Sequence, residues 1–192
     1  MFYMYKVKDG FSCDRQSKYD FTASTVNYIS KMYDNKDITI VFNELDANGN
    51  LVEFDSANAS ETARTDLIMF FNGKGYNIEL KERWGRYTSD YYGKEGDKEG
   101  WFVNIEKYNV LMNNKEYIPI FANLFPDGKV RIWNLNKLNN LHVLTKNIAK
   151  TNVIESDVIP QKRYDVWNKD GKIFDRVKGK PSNGKWVSKG AN

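Results

Sequence analysis

The chain predicts an α/β protein, a mixed sheet with helices packed against it. Three features carry that expectation. An early segment spaces its apolar residues at helical period, several later segments are short apolar runs of strand length, and Gly, Asn and Pro punctuate the intervals. Length and composition agree, because 192 residues with 41% hydrophobic and 15% aromatic content can bury one sizeable core.

Each element can be placed in order. Residues 17–34 suit an amphipathic helix whose apolar stripe is Val26, Ile29, Met32 and Tyr33. Residues 37–44 (DITIVFNE) and 51–54 (LVEF) are strand-like, with Asn48-Gly49-Asn50 as turn material between them. Residues 65–81 (TDLIMFFNGKGYNIELK) read as a hairpin. Residues 100–113 read as a short extended entry followed by a helix, and residues 116–125 as a strand. A Pro126-Asp127-Gly128 turn then leads into a strand over residues 129–135. Near the C-terminus, RYDVWNKDGKIFDRV suggests a further β-hairpin around Asp170-Gly171.

The hairpin at residues 65–81 carries the chemistry. Placing the turn at residues 72–75, with Gly73 and Gly75 free to take positive φ, sets Phe71 opposite Tyr76, Met69 opposite Ile78 and Asp66 opposite Lys81. Directly paired side chains lie roughly 5 Å apart on the same side of the sheet. One face is then wholly apolar: Leu67, Met69, Phe71, Tyr76, Ile78 and Leu80. The other carries Asp66, Ile68, Phe70, Asn77, Glu79, Lys81 and Arg83, and a slip of one residue would ruin both faces. The simplest reading of the charged face is a solvated side with an Asp66–Lys81 ion pair. Against it, Ile68 and Phe70 share that face and imply partial cover, and carboxylates in a covered cleft need a compensating charge such as a divalent cation.

Asp66, then twelve intervening residues, then Glu79-Leu80-Lys81 resembles the signature of the PD-(D/E)xK nucleases, the restriction-endonuclease-like superfamily. The proline of that signature is replaced by Thr65. The resemblance implies an αβββαβ core over the first two-thirds of the chain, so that residues 1–160 form a nuclease-like domain. It also implies a Mg²⁺-dependent deoxyribonuclease, an endonuclease before an exonuclease, with Mn²⁺ able to substitute. Asp66 and Glu79 would hold the ion together with the backbone carbonyl of Leu80, as hard oxygen ligands do. Lys81 would orient the attacking water, or help deprotonate it, and stabilise the transition state. Many members add an acidic residue from the first helix, for which Asp20 is the candidate, with Asp14 and Glu61 as alternatives. Members also often use a polar residue on the second helix, here Glu106 or Lys107. A catalytically inactive nucleic-acid-binding or regulatory protein of the same fold remains the competing reading.

Composition narrows the remaining classes. His142 is the single histidine, which removes chemistries built on a histidine pair or a Ser-His-Asp triad, and no phosphate-binding Gly-rich loop occurs. Cys13 is alone, so neither an internal disulfide nor a cysteine zinc site forms. No run of 18 apolar residues is present and MFYMYKVKDG lacks the apolar core of a secretory signal, so a cytoplasmic setting without membrane contact is expected. Residues 161–192 form a basic, aromatic extension, with nine Lys and Arg against three Asp plus Tyr164, Trp167, Phe174 and Trp186. Basic residues interleaved with aromatics suit a DNA grip, with RNA not excluded. The residues expected at that grip are Arg83 and Arg86, from a polar loop at residues 82–101, together with Lys107, Lys162, Arg163, Arg176 and Lys178. In that loop Trp84, Tyr87, Tyr91 and Tyr92 offer stacking surfaces. Oligomeric state is left open, a homodimer included.

Overall fold

The computed structural model describes residues 10–34, 37–43, 65–83, 88–90, 101–138, 143–149 and 158–188. The strand expected at residues 51–54, Glu61, Arg86, Trp84, Tyr87, Tyr91, Tyr92 and His142 lie outside them. Side chains are described for a subset that omits Asp14, Lys162 and Arg163.

The chain opens with helix α1 (Gly10–Met32), followed by β1 (Ile38–Phe42), β2 (Leu67–Phe71), β3 (Lys74–Glu82) and β4 (Trp101–Asn104). Helix α2 (Ile105–Asn113), β5 (Ile118–Leu124) and β6 (Lys129–Asn134) come next. Then follow β7 (Val143–Ala149), β8 (Val158–Val166), β9 (Lys172–Asp175) and β10 (Lys185–Ser188). Seven strands form a mixed sheet in the order β10-β1-β2-β3-β5-β6-β9, and β4-β8-β7 form a smaller sheet. Only β3 and β5 run parallel among the paired strands of the large sheet, joined through β4 and α2 as a parallel pair requires. The expected α/β class is therefore present in mixed form.

Alternation along β5 builds two cores. Ile120, Ala122 and Leu124 face α1 in a cluster with Phe21, Ile29, Leu67, Ile78 and Leu80. Phe121 faces the other way, joining Leu111 of α2, Trp101, Val103, Trp133 and Val166. Central β3 is buried on both faces from Asn77 to Leu80. Glu79 is thereby carried into the interior, where a carboxylate is costly.

The motif hairpin keeps the expected faces but not the expected pairing. Leu67 pairs with Ile78 and Phe71 with Lys74, a shift of two residues. The turn is the two-residue Asn72-Gly73, with φ of +52° and +71°, the geometry that right-twisted strands favour. Gly75 lies in the strand, and its missing Cβ makes room for the Tyr117 ring, whose Cδ1 would be 2.2 Å from one. Because the shift is even, every side chain keeps its side of the sheet. Its consequence is at Asp66, which comes opposite Glu79 instead of Lys81.

Helix α1 also departs from its expected stripe. Ile29 is buried, but Met32 and Tyr33 are exposed, and Phe21 supplies the deepest apolar contact. Its second buried side is polar, because residues 176–182 run against it. Val177 N donates to Ser24 Oγ at 2.7 Å, Gly179 N to Asp20 Oδ1 at 2.9 Å and Tyr19 Oη to Ser182 O at 3.3 Å. Thr22 and Ser24 return their hydroxyls to the carbonyls four residues back, so the helix tolerates them.

The expected C-terminal β-hairpin does not form. β8 pairs with β4 and β7 in the small sheet, whereas β9 pairs with β6 at one edge of the large sheet. The Asp170-Gly171 region is held to β6 by Trp133 Nε1 donating to Trp167 O and Arg131 donating to Asn168 O, which carries the chain from one sheet to the other. β10 then lines the opposite edge beside β1. The basic extension is thus packed into the same unit on both of its sides. Among the described residues no helix is long and apolar enough to cross a membrane.

The strap at residues 176–182 gives a test of this architecture. A Cβ at Gly179 would stand 2.0 Å from the Tyr19 carbonyl oxygen, backbone that cannot swing aside. Gly179→Ala should lower unfolding free energy by about 2–3 kcal/mol in urea denaturation, as overpacked sites do. A change below about 0.5 kcal/mol would show that the strap does not bear on α1.

Candidate functional site

Asp66 immediately precedes β2, and a chain of side chains fixes its position. Asn43 Nδ2 donates to Thr65 O at 2.7 Å and to Thr65 Oγ1 at 2.9 Å, and Thr65 Oγ1 donates in turn to Asn77 Oδ1. The backbone adds Asp66 N to Ile78 O at 2.9 Å and Asn43 N to Asp66 O at 3.1 Å. Thr65, immediately before Asp66, therefore orders the approach to that residue by hydrogen bonding.

Five further groups converge there. Leu80 N donates to Asp66 Oδ2 at 2.7 Å, and Lys18 Nζ of α1 lies 3.6 Å from Asp66 Oδ1. Across the hairpin, Glu79 is 1% exposed, with Lys81 Nζ 2.7 Å and Lys107 Nζ 3.3 Å from its Oε1. Glu79 Oε2 is buried without a hydrogen-bond partner. The side chains of Lys18 and Lys107 are 0% and 17% exposed, against 41% for Lys81.

The electrostatics follow from this crowding. Burial, with the Glu79 carboxylate beside it, pushes Asp66 up to about 6 in spite of Lys18, Lys81 and the Leu80 amide. Burial works to lower Lys81, but Glu79 and Asp66 outweigh it and hold the ammonium above its ordinary value. Lys81 is thus a cation at neutral pH, suited to stabilising negative charge rather than to accepting a proton.

The expected trio of Asp66, Glu79 and Lys81 is brought together. Lys107 joins it as a neighbour of Glu79, and the Leu80 peptide adjoins Asp66 through its N–H. Asp20 goes elsewhere. Its Oδ2 accepts from Arg176 Nε at 3.0 Å and Nη2 at 2.8 Å, and its Oδ1 from Gln16 and Gly179. Arg176 is consumed in the same knot, donating to Glu82 at 2.6 and 3.1 Å, while Ser17 Oγ donates to Glu82 Oε2 at 2.7 Å. The Arg176 side chain is 19% exposed. Arg83 lies over the Trp101 ring at 5.3 Å from its centroid, and Lys178 is exposed. Lys18 was not foreseen. Its position next to Ser17, on the turn of α1 nearest the hairpin, has no signature in a single sequence.

The donor set fits a hard divalent cation. Two carboxylates lie beside each other, one with an unsatisfied buried oxygen and the other with its ionisation suppressed by burial and then by the first, and both are the oxygen ligands that Mg²⁺ takes. Asp66 and Glu79 would hold the ion. Among the described residues there is no group of three or more His, Cys, Asp or Glu side chains around one point. No family model, curated protein or solved structure matches the chain.

The raised Asp66 predicts a pH signature. Its proton is bound more tightly in the folded state than at its ordinary 3.8, so this contribution to stability is full below pH 4 and lost as pH rises through 6. Asp66→Asn, uncharged throughout, should exceed the wild type in unfolding free energy by about 2–3 kcal/mol at pH 8 in EDTA. The difference should vanish near pH 4. Equal differences at both pH values would mean that Asp66 is not desolvated against Glu79.

Proposed function

We propose that the protein is a metal-dependent nuclease that hydrolyses DNA phosphodiester bonds at the Asp66–Glu79–Lys81 cleft. The observation that supports it most is the pairing of a carboxylate pushed up to about 6 with a second, 1% exposed carboxylate whose Oε2 has no partner, beside a cationic lysine. The order of elements supports the same reading. With β4 set aside, because it pairs in the small sheet, a helix (α1), three antiparallel neighbours (β1, β2, β3), a helix (α2) and a strand parallel to β3 (β5) come in an order compatible with the αβββαβ core of restriction-endonuclease-like nucleases.

The protein's own groups divide the work. Asp66 and Glu79 would hold the ion, the first oriented by the Leu80 amide and the second by its burial in β3. A bound divalent ion supplies water activation and charge neutralisation at the phosphate. Lys81, protonated and partly exposed, can leave Glu79 Oε1 for a phosphate oxygen and stabilise the charge that builds there. Lys107, more buried, stays 3.3 Å from Glu79 Oε1. A catalytically silent binding protein is favoured by one feature, the three ammonium groups around two carboxylates, which already compensate the cluster.

A cleavage panel decides between the two. Supercoiled, linear, single-stranded and four-way-junction DNA, with an RNA control, should be cut with Mg²⁺ or Mn²⁺ and left intact in EDTA. Glu79→Gln and Lys81→Met should each lower the rate by about 10²-fold or more while DNA binding persists. Cleavage unaltered by both substitutions, or no cleavage of any substrate by the wild type, would leave the silent reading standing.

A further inference from the structure

Lys18 has no part in the hydrolysis just described, yet it is among the least accessible side chains of the molecule. Lysines are rarely buried to 0% exposure without a paired charge, and its Nζ lies 3.6 Å from Asp66 Oδ1. The other oxygen of Asp66 is taken by the Leu80 amide. An ion entering the cleft therefore meets Asp66 with an ammonium on one side and an N–H on the other.

The two ends of the cleft are unequal. At Glu79, one oxygen is unsatisfied and the nearest cation, Lys81, is 41% exposed and free to swing toward solvent. At Asp66, the cation is anchored in α1 with no exposed surface through which to withdraw. At the first end a divalent ion reaches the unsatisfied Glu79 Oε2 once Lys81 withdraws, with Lys107 remaining at Oε1. At the second it would have to approach a fixed positive charge across a poorly screened gap, where like charges repel strongly.

We propose that Lys18 is a built-in monovalent cation standing where a second metal ion would sit, so that the cleft takes a single divalent ion. Lys18 acts through Asp66 and is a positioning residue. It holds the carboxylate in place, supplies a fixed positive charge at the far end of the cleft, and limits the stoichiometry. The proposal rests on the metal-dependent reading above.

Mn²⁺ titration of the full chain, with free ion followed by electron paramagnetic resonance, tests it without reference to cleavage. The wild type should bind one Mn²⁺ per chain. Lys18→Met, which keeps the length and apolar stem but removes the charge, should bind Mn²⁺ about tenfold more tightly and cleave DNA at least tenfold more slowly. Lys18→Gln is the second variant where the first fails to give a folded circular dichroism spectrum, and the wild-type stoichiometry stands alone should neither fold. Two ions per wild-type chain, or unchanged affinity in the folded variant, overturns the role of Lys18 and spares the nuclease reading. Absence of Mn²⁺ binding by the wild type overturns both.

Discussion

Two carboxylates pressed together with little water between them set the terms for the surrounding structure. Asp66 and Glu79 meet because the Asn72-Gly73 turn pairs Leu67 with Ile78, and they are desolvated because β3 is central and covered on both faces. Neither condition is cheap, since a buried carboxylate needs partners in proportion to its lost hydration. Lys18, Lys81, Lys107 and the Leu80 amide are those partners, and they arrive from α1, β3 and α2. The fold can be read as the set of elements needed to bring them to one end of one hairpin.

A second buried charge cluster holds the first in place. Lys18 and Asp20 are two residues apart on α1 and so point in different directions, one to Asp66 and the other to Arg176. Arg176 also binds Glu82, one residue beyond Lys81 on β3. The Arg176 knot therefore fixes α1 against the end of β3, and that contact sets where Lys18 meets Asp66. Asp20 and Arg176, taken from the sequence as catalytic and nucleic-acid-binding candidates, are both committed to this bracing. Breaking a buried pair by removing one partner typically costs about 3–5 kcal/mol, so the brace is a firm one.

The sequence showed the hairpin's two faces because side-chain parity is a local property that survives an even shift in register. It did not show which residues stand opposite each other, because that depends on whether the turn holds two residues or four. The φ values of Asn72 and Gly73 decide the matter. The extended entry into α2, the end of that helix at Asn113 and the Pro126-Asp127-Gly128 turn were legible for the same local reasons. The polar side of α1 was not, since Ser24 and Asp20 are buried by a strap more than 150 residues away in sequence. Its partial amphipathicity hid a contact rather than a solvated face. Likewise, basic residues near the C-terminus suggested an electrostatic surface, whereas Arg176 and the edge strands β9 and β10 are used to complete the fold.

Stability alone gives a poor account of the Asp66–Glu79 cluster. Buried ion pairs are commonly neutral or destabilising beside apolar residues of similar volume, and this one also leaves Glu79 Oε2 unsatisfied and Asp66 reluctant to ionise. An apolar pair at positions 66 and 79 would join Ile68 and Phe121 at lower cost, closing the face that α2 covers. The Arg176 knot shows what a bracing cluster looks like in the same molecule: the guanidinium donates to both acids, Ser17 and Gly179 take further oxygens, and Asp20 and Glu82 are each bonded through both oxygens. The contrast between a satisfied cluster and a deficient one, a few residues apart on the same helix and strand, separates bracing from chemistry. The deficient cluster, with Glu79 Oε2 unsatisfied, is the one on which the proposed nuclease reading rests.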